Sequence, residues 1–190
     1  VLDNRVAMTG VIEHMIRRHG ARRVAFIGGA PGNPEAEARL ATYRDVLAAH
    51  GIAFEASLVE PGYFTNPGGF EAMSAILART RLPDAVVAAN DTMALGAVEA
   101  LRKHGHRVPR HVPVTGFDDL ALARVANPPL TTVDQPFVPM ATLGVDLVLD
   151  QIEGRAVPEL SAVSAELVVR QSCGCTHQQR RTSTPVPAHR

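Results

Sequence analysis

The sequence of 190 residues has only two cysteines, Cys173 and Cys175, one residue apart near its end. Such a pair builds no disulfide framework, and a reducing compartment is the default expectation. No apolar run approaches the ~20 residues that a membrane-spanning helix requires, so no membrane partner is expected. Neither sign of charge prevails: 19 Lys and Arg stand against 19 Asp and Glu. No basic block is long enough for a nucleic-acid or polyphosphate surface, so if the protein acts on DNA, these residues do not touch it. The start, Val1-Leu2-Asp3-Asn4, resembles neither a signal peptide nor a natural beginning, and a fragment is expected.

Reaction centres are lacking too. No serine lies in a G-x-S-x-G context. The loop Gly28-Gly29-Ala30-Pro31-Gly32-Asn33 lacks the G-x-G-x-x-G spacing, and no Walker lysine follows it. Cys173-Gly174-Cys175-Thr176-His177 is one ligand short of a closed zinc site. The expectation is a chain that is not an enzyme, with no cofactor and no metal site. His19, His50 and His104 each precede a glycine stop, where they complement a helix dipole.

What is present is an alternation of short apolar runs and amphipathic stretches. A chain of this length that is 46% hydrophobic can bury a core, since such domains remove about 70% of their unfolded surface from water. The organising stretch is Pro83 to Gly96. Ala85 to Ala89 is an uncharged apolar run suited to a parallel strand buried on both faces. Asn90 and Asp91, good N-cap residues, open a helix that runs from Thr92 to His104. Ligands in open parallel sheets are held where a strand turns into a helix, which puts Asn90 and Asp91 in a binding position; capping alone also accounts for them. Similar strands are expected at Val24–Ile27, Ser57–Glu60 and Val112–Phe117, with helices from Arg5 to His19, Glu35 to His50 and Gly68 to Thr80. Asp118-Asp119 closes the fourth strand, where capping of a helix is the plain account. Strand–helix alternation of this kind makes a doubly wound parallel α/β sheet. After Asn127-Pro128-Pro129 the pattern changes to a strand at Leu130–Val133, a helix from Pro136 to Gly154 and a strand at Glu166–Arg170.

The ordered set DNRVAMTGVIEHMI, RRVAFIGGA, Arg39-Leu40-Ala41-Thr42-Tyr43, AANDTMALGAVEAL, VPVTGFDDLALA, PPLTTVDQP and LVVRQS resembles the effector-binding core of the lactose- and purine-repressor family of transcription regulators. The resemblance covers nearly everything from Asp3 to Ser172. It implies a two-lobed, periplasmic-binding-protein-like fold, with one lobe whole and the second partial. Residues 1–20 would be a crossover helix of the amino-terminal lobe, 21–133 the carboxyl-terminal effector lobe and 134–160 a return helix of the amino-terminal lobe. Residues 161–172 would be a closing strand and 173–190 a disordered tail.

Carried over position by position, the resemblance implies ligand contacts at Asp3, Asn33, Arg39, Phe64, Asn90, Asp118 and Gln135. Those residue types suit a sugar or nucleobase, with an aromatic for flat apolar faces and Asn, Asp and Arg for hydroxyls or ring nitrogens. The loop Glu60-Pro61-Gly62-Tyr63-Phe64 departs from the family pattern. The resemblance also implies a cytoplasmic homodimer whose DNA binding resides in a headpiece outside this chain. The helix Thr92–His104 has more apolar surface than a one-sided stripe needs. Leu95, Val98, Glu99, Arg102, Leu122 and Val125 are accordingly expected at the dimer interface, unless a neighbouring helix of the same lobe covers Leu95 and Val98. The ending Ser-Cys-Gly-Cys looks like sensor modules joined to kinase or cyclase output domains, which leaves that output, and a transport-type binding protein, as alternatives.

Overall fold

The computed structural model describes residues 4–158, 163 and 165–175; Asp3 and residues 176–190 lie outside them. Strands β1 (Val24–Gly28), β2 (Val59–Pro61), β3 (Ala85–Ala88) and β4 (Val114–Thr115) form a parallel sheet in the order β2-β1-β3-β4. Phe26 stands opposite Val59 on one side and Val87 on the other. The helices between them are α2 (Pro34–Ala49), α3 (Asn66–Arg79) and α4 (Asp91–Lys103). From β1 the chain steps outward to β2, then returns past β1 to β3. Right-handed crossovers therefore place α2 on one face of the sheet and α3 and α4 on the other. β3 is fully buried along its length, as expected of an uncharged central strand covered on both faces.

Each helix begins where the sequence supplies a cap. Asn33, Thr65 and Asn90 accept the backbone N–H of Ala36, Gly68 and Met93, satisfying one donor that the first turn leaves unpaired. Helices α3 and α4 approach closely through glycine. A Cβ on Gly96 would overlap the Asn66 carbonyl, and one on Gly69 would overlap the Met93 backbone. Tyr43 of α2 stacks on Phe26 at 4.9 Å between centroids, and its hydroxyl donates to the Val24 carbonyl at 2.8 Å.

Helix α1 (Asn4–Glu13) continues into a π-helical turn, His14–Arg18. Its Met8, Val11, Ile12 and Met15 are fully buried in the same core as β1 and α2. This corrects the expected assignment of residues 1–20 to another lobe: the apolar stripe of α1 is satisfied by this sheet and by α2.

β5 (Thr132–Asp134) pairs antiparallel with β6 (Glu166–Val168). Parallel bridges from Thr115 to Thr131 and from Asp118 to Asp134 attach this pair to the edge at β4. A short helix, α5 (Ala121–Val125), follows Asp118-Asp119, where the capping reading implied a helix without giving its bounds. Helix α6 (Phe137–Ile152) has no buried residue, and Val138 and Ile152 are about three-quarters exposed. The expected tail at 173–190 starts too early, because Cys173 and Cys175 are buried in the core; residues 176–190 fall outside the described residues. No helix among the described residues is long and apolar enough to cross a membrane.

Candidate functional site

Strand order reverses between β1 and β3, so the loops leaving them diverge and open a crevice at their carboxyl ends. Arg39, on the second turn of α2, is drawn there. Its Nε donates to Asn4 Oδ1 at 2.9 Å and its Nη1 to the Ala89 carbonyl at the end of β3. The guanidinium lies 3.9 Å from the centroid of the Phe117 ring, a cation–π contact, and an Arg side chain that is 5% exposed needs such partners. Those two bonds use two of its five N–H donors.

Asp118 follows Phe117. Its backbone has φ 118°, and Asp119 follows at 52°, so the chain leaves β4 through a turn that Asp tolerates better than most residues. Burial pushes the Asp118 carboxyl up to about 6, against the opposing pull of Arg39 and of the hydrogen bond from Gln135. Gln135 Nε2 donates to Asp118 Oδ1 at 2.5 Å. Arg39, Asp118 and Gln135 thus form one charged and polar group at the strand ends.

Phe64 and Asn90 complete the wall. Phe64 has φ 61°, and its ring lies so close over Gly29 that a Cβ there would overlap it. Asn90 Oδ1 caps α4 at 2.8 Å, while its Nδ2 donates to the Phe64 carbonyl at 3.3 Å. Asn33 Oδ1 caps α2 at 3.1 Å. Both asparagines therefore fix the loops around the crevice, and any ligand contact would come from the remaining capacity of their amides. Asp3 lies outside the described residues.

Asp91 and Asp119 play other parts. Asp91 is fully buried and points into the protein. It accepts from Thr132 Oγ1 at 2.5 Å and from the Leu120 N–H at 2.8 Å. Asp119 is held by Arg170 at 2.6 Å and Arg124 at 2.8 Å. Capping of a helix by Asp118 or Asp119 is corrected accordingly: no side chain at the start of α5 caps it, and Asp91 takes the Leu120 N–H instead. Asn4 was missed among the polar residues of the crevice, although its place beside Asp3 was a signal.

Of the histidines before glycine stops, His104 meets a carbonyl of its own last turn, whereas the His50 ring turns to another helix. His104 Nδ1 meets the Ala100 carbonyl at 2.8 Å, and His50 pairs with Glu13 at 3.0 Å. His19 differs, because it stands with His14 beside Cys173 and Cys175. The sequence reading of one ligand short overlooked both histidines, which lie more than 150 residues away along the chain.

On the other flank of the lobe, α4 and α5 enclose a shallow groove of about 380 Å³ lined by Leu95, Val98, Glu99, Arg102, Leu122 and Val125 among others. Leu122 and Val125 are 61% and 78% exposed, whereas Val98 is 7% exposed within the chain itself. α3 packs on the other side of α4, along Met93 and Gly96, so Leu95 and Val98 line the groove itself.

A family model described as a periplasmic binding protein-like domain matches residues 12–173. The HTH-type transcriptional regulator GalR of Escherichia coli (strain K12) is 37% identical over 170 residues, covering 90% of this chain and 49% of that protein. A solved transcriptional regulator CelR–cellobiose complex is 38% identical with a TM-score of 0.81, covering 90% of this chain and 52% of that one. The lac repressor dimer bound to operator and the anti-inducer ONPF is 29% identical with a TM-score of 0.86, covering 91% and 52%. The chain belongs to the periplasmic binding protein-like domain family, in the branch of the lactose- and purine-repressor regulators. Its relatives there are transcription regulators, not enzymes. The chain spans about half the length of the curated relatives it matches.

Proposed function

We propose that these residues are the sensing lobe of a cytoplasmic, dimeric transcription regulator, and that a small sugar bound at the crevice modulates DNA binding by a headpiece outside this chain. The observation that carries the reading is the group at the strand-order reversal formed by the buried Arg39 and the half-buried Asp118 and Gln135. A carboxylate and an amide accept and donate to vicinal hydroxyls, and a guanidinium presents a fixed fork of donors. Phe64 offers an apolar ring face beside them. The cellobiose in the CelR complex favours a sugar over a nucleobase-like effector.

The ligand acts by binding one arrangement of two lobes better than another, so that occupancy shifts their equilibrium. The opposing wall would come from the amino-terminal lobe, to which α6 belongs in this reading. An apolar helix with no buried residue needs such a cover. A second copy would dock on the groove between α4 and α5, a reading supported by the dimeric lac repressor.

The test is a thermal-shift screen of the protein carrying both lobes, with mono- and disaccharides in one set and purine bases and nucleosides in another. A true effector at a hundredfold its Kd adds about 2.7 kcal/mol, a clear rise in melting temperature. A saccharide giving that rise supports the reading. A rise confined to the purine set replaces the sugar by a nucleobase, and no rise in either set rejects the sensor.

A further inference from the structure

We propose that His14, His19, Cys173 and Cys175 form a tetrahedral site for a thiophilic divalent cation, zinc being the expected occupant. One donor atom from each of the four residues lies within 4.8 Å of every other. The two histidine Nε2 atoms are 3.2 Å apart, and Cys175 Sγ is 3.6 Å from that of His14 and 3.5 Å from that of His19. Zinc with bonds of about 2.0–2.1 Å to nitrogen and about 2.3 Å to sulfur sets tetrahedral edges of roughly 3.3 Å between nitrogens and roughly 3.6 Å between nitrogen and sulfur. The three distances fall on those edges. Both cysteines are free and buried, as a closed structural site requires.

The local fold explains how the four meet. The turn His14–Arg18 is π-helical, and it ends at His19, the C-cap. This setting brings two residues five apart onto one side, with their rings edge to face at 5.0 Å. From the other end of the chain, Ser172 anchors the turn that carries the thiols. Its Oγ donates to the Val114 carbonyl at 2.6 Å, and its carbonyl accepts the Val114 N–H at 2.9 Å. Gly174, at φ 92°, lets Cys173 and Cys175 point the same way.

The cluster precedes β1 and follows β6, so it sits at the amino ends of the parallel strands, opposite the crevice. It neither belongs to the sugar site nor depends on it. A bound ion would tie the end of α1 to the end of the described chain and stabilise the lobe, because a site absent from the unfolded chain contributes its binding free energy to folding.

The full chain, prepared without a histidine tag and with both thiols reduced, is dialysed against metal-free buffer, assayed for zinc by mass spectrometry and titrated with cobalt. The expected result is one zinc per chain and a cobalt complex showing tetrahedral d–d bands with a thiolate charge-transfer band, displaced by zinc. His14→Ala, His19→Ala, Cys173→Ser and Cys175→Ser should each weaken cobalt binding by at least about tenfold, with circular dichroism reporting the fold. A wild-type chain with two titratable thiols that retains no zinc and gives a featureless cobalt spectrum overturns the site. So does loss of the ion in His177→Ala but not in His14→Ala.

Discussion

Asp91 is a carboxylate with no solvent, used as a structural acceptor between α4, α5 and β5. Burial, reinforced by Asp118 and Asp119, pushes it up to about 7 in spite of its bonds to Thr132 and Leu120. Because the folded pKa lies above the ordinary carboxyl value of 3.8, the folded state holds the proton longer than the unfolded one. The associated stability is fully present below that value and is lost as pH rises toward about 7. Asp91→Asn retains an acceptor for Leu120 and can donate to Thr132 Oγ1. It should therefore flatten the decline, so that the stability lost between acidic and neutral pH differs between the two chains by on the order of a few kcal/mol. Urea denaturation at acidic and neutral pH checks this; parallel slopes in both chains would contradict it. The same residue shows the limit of the sequence. That Asn90 and Asp91 stood at a strand end was legible from the apolar run before them. Which of the two faces the crevice was not, because it depends on Thr132 and Leu120 arriving from later in the chain.

At the scale of elements, the α3–α4 contact makes the sharpest claim. Gly96 meets the Asn66 carbonyl where backbone cannot yield, so Gly96→Leu should cost about 1–3 kcal/mol through overpacking, against the propensity gain of removing a helical glycine. Thermal denaturation decides it, and an unchanged or raised melting temperature would refute the close approach. All four parallel strands and helices α2, α3, α4 and α6 were legible from apolar runs, caps and glycine stops, with ends off by at most two residues. β2 was the weakest, since a turn at Ala56–Leu58 occupies its expected start. α5 was implied by the capping reading of Asp118-Asp119 but given no bounds, because five residues hold too little periodicity to set them. α1 was found but given to the wrong lobe, since an apolar stripe says that a helix is covered and not by what. The cysteine–histidine cluster escaped notice because its halves lie at opposite ends of the chain.

At the scale of the whole molecule, the claims concern surfaces that this chain leaves open. If a second copy docks on the groove between α4 and α5, the residues to disrupt are the exposed Leu122 and Val125. Val98 is a poor choice, since a charge there would damage the lobe's own packing. Light scattering at micromolar concentration should show a dimeric wild type and a folded, monomeric Leu122→Glu/Val125→Glu variant. A variant that stays dimeric would place the interface elsewhere. The central claim is that Arg39 and Asp118 read an effector in the crevice. Its most direct test is calorimetry on the protein carrying both lobes, with the saccharide that most raises its melting temperature. Arg39→Lys removes the planar fork of donors and Asp118→Asn removes the charged acceptor. Each should weaken binding about tenfold or more, roughly 1.4 kcal/mol, the lower range for losing a partner of a buried polar contact. Affinity equal to wild type in both folded variants would contradict the account.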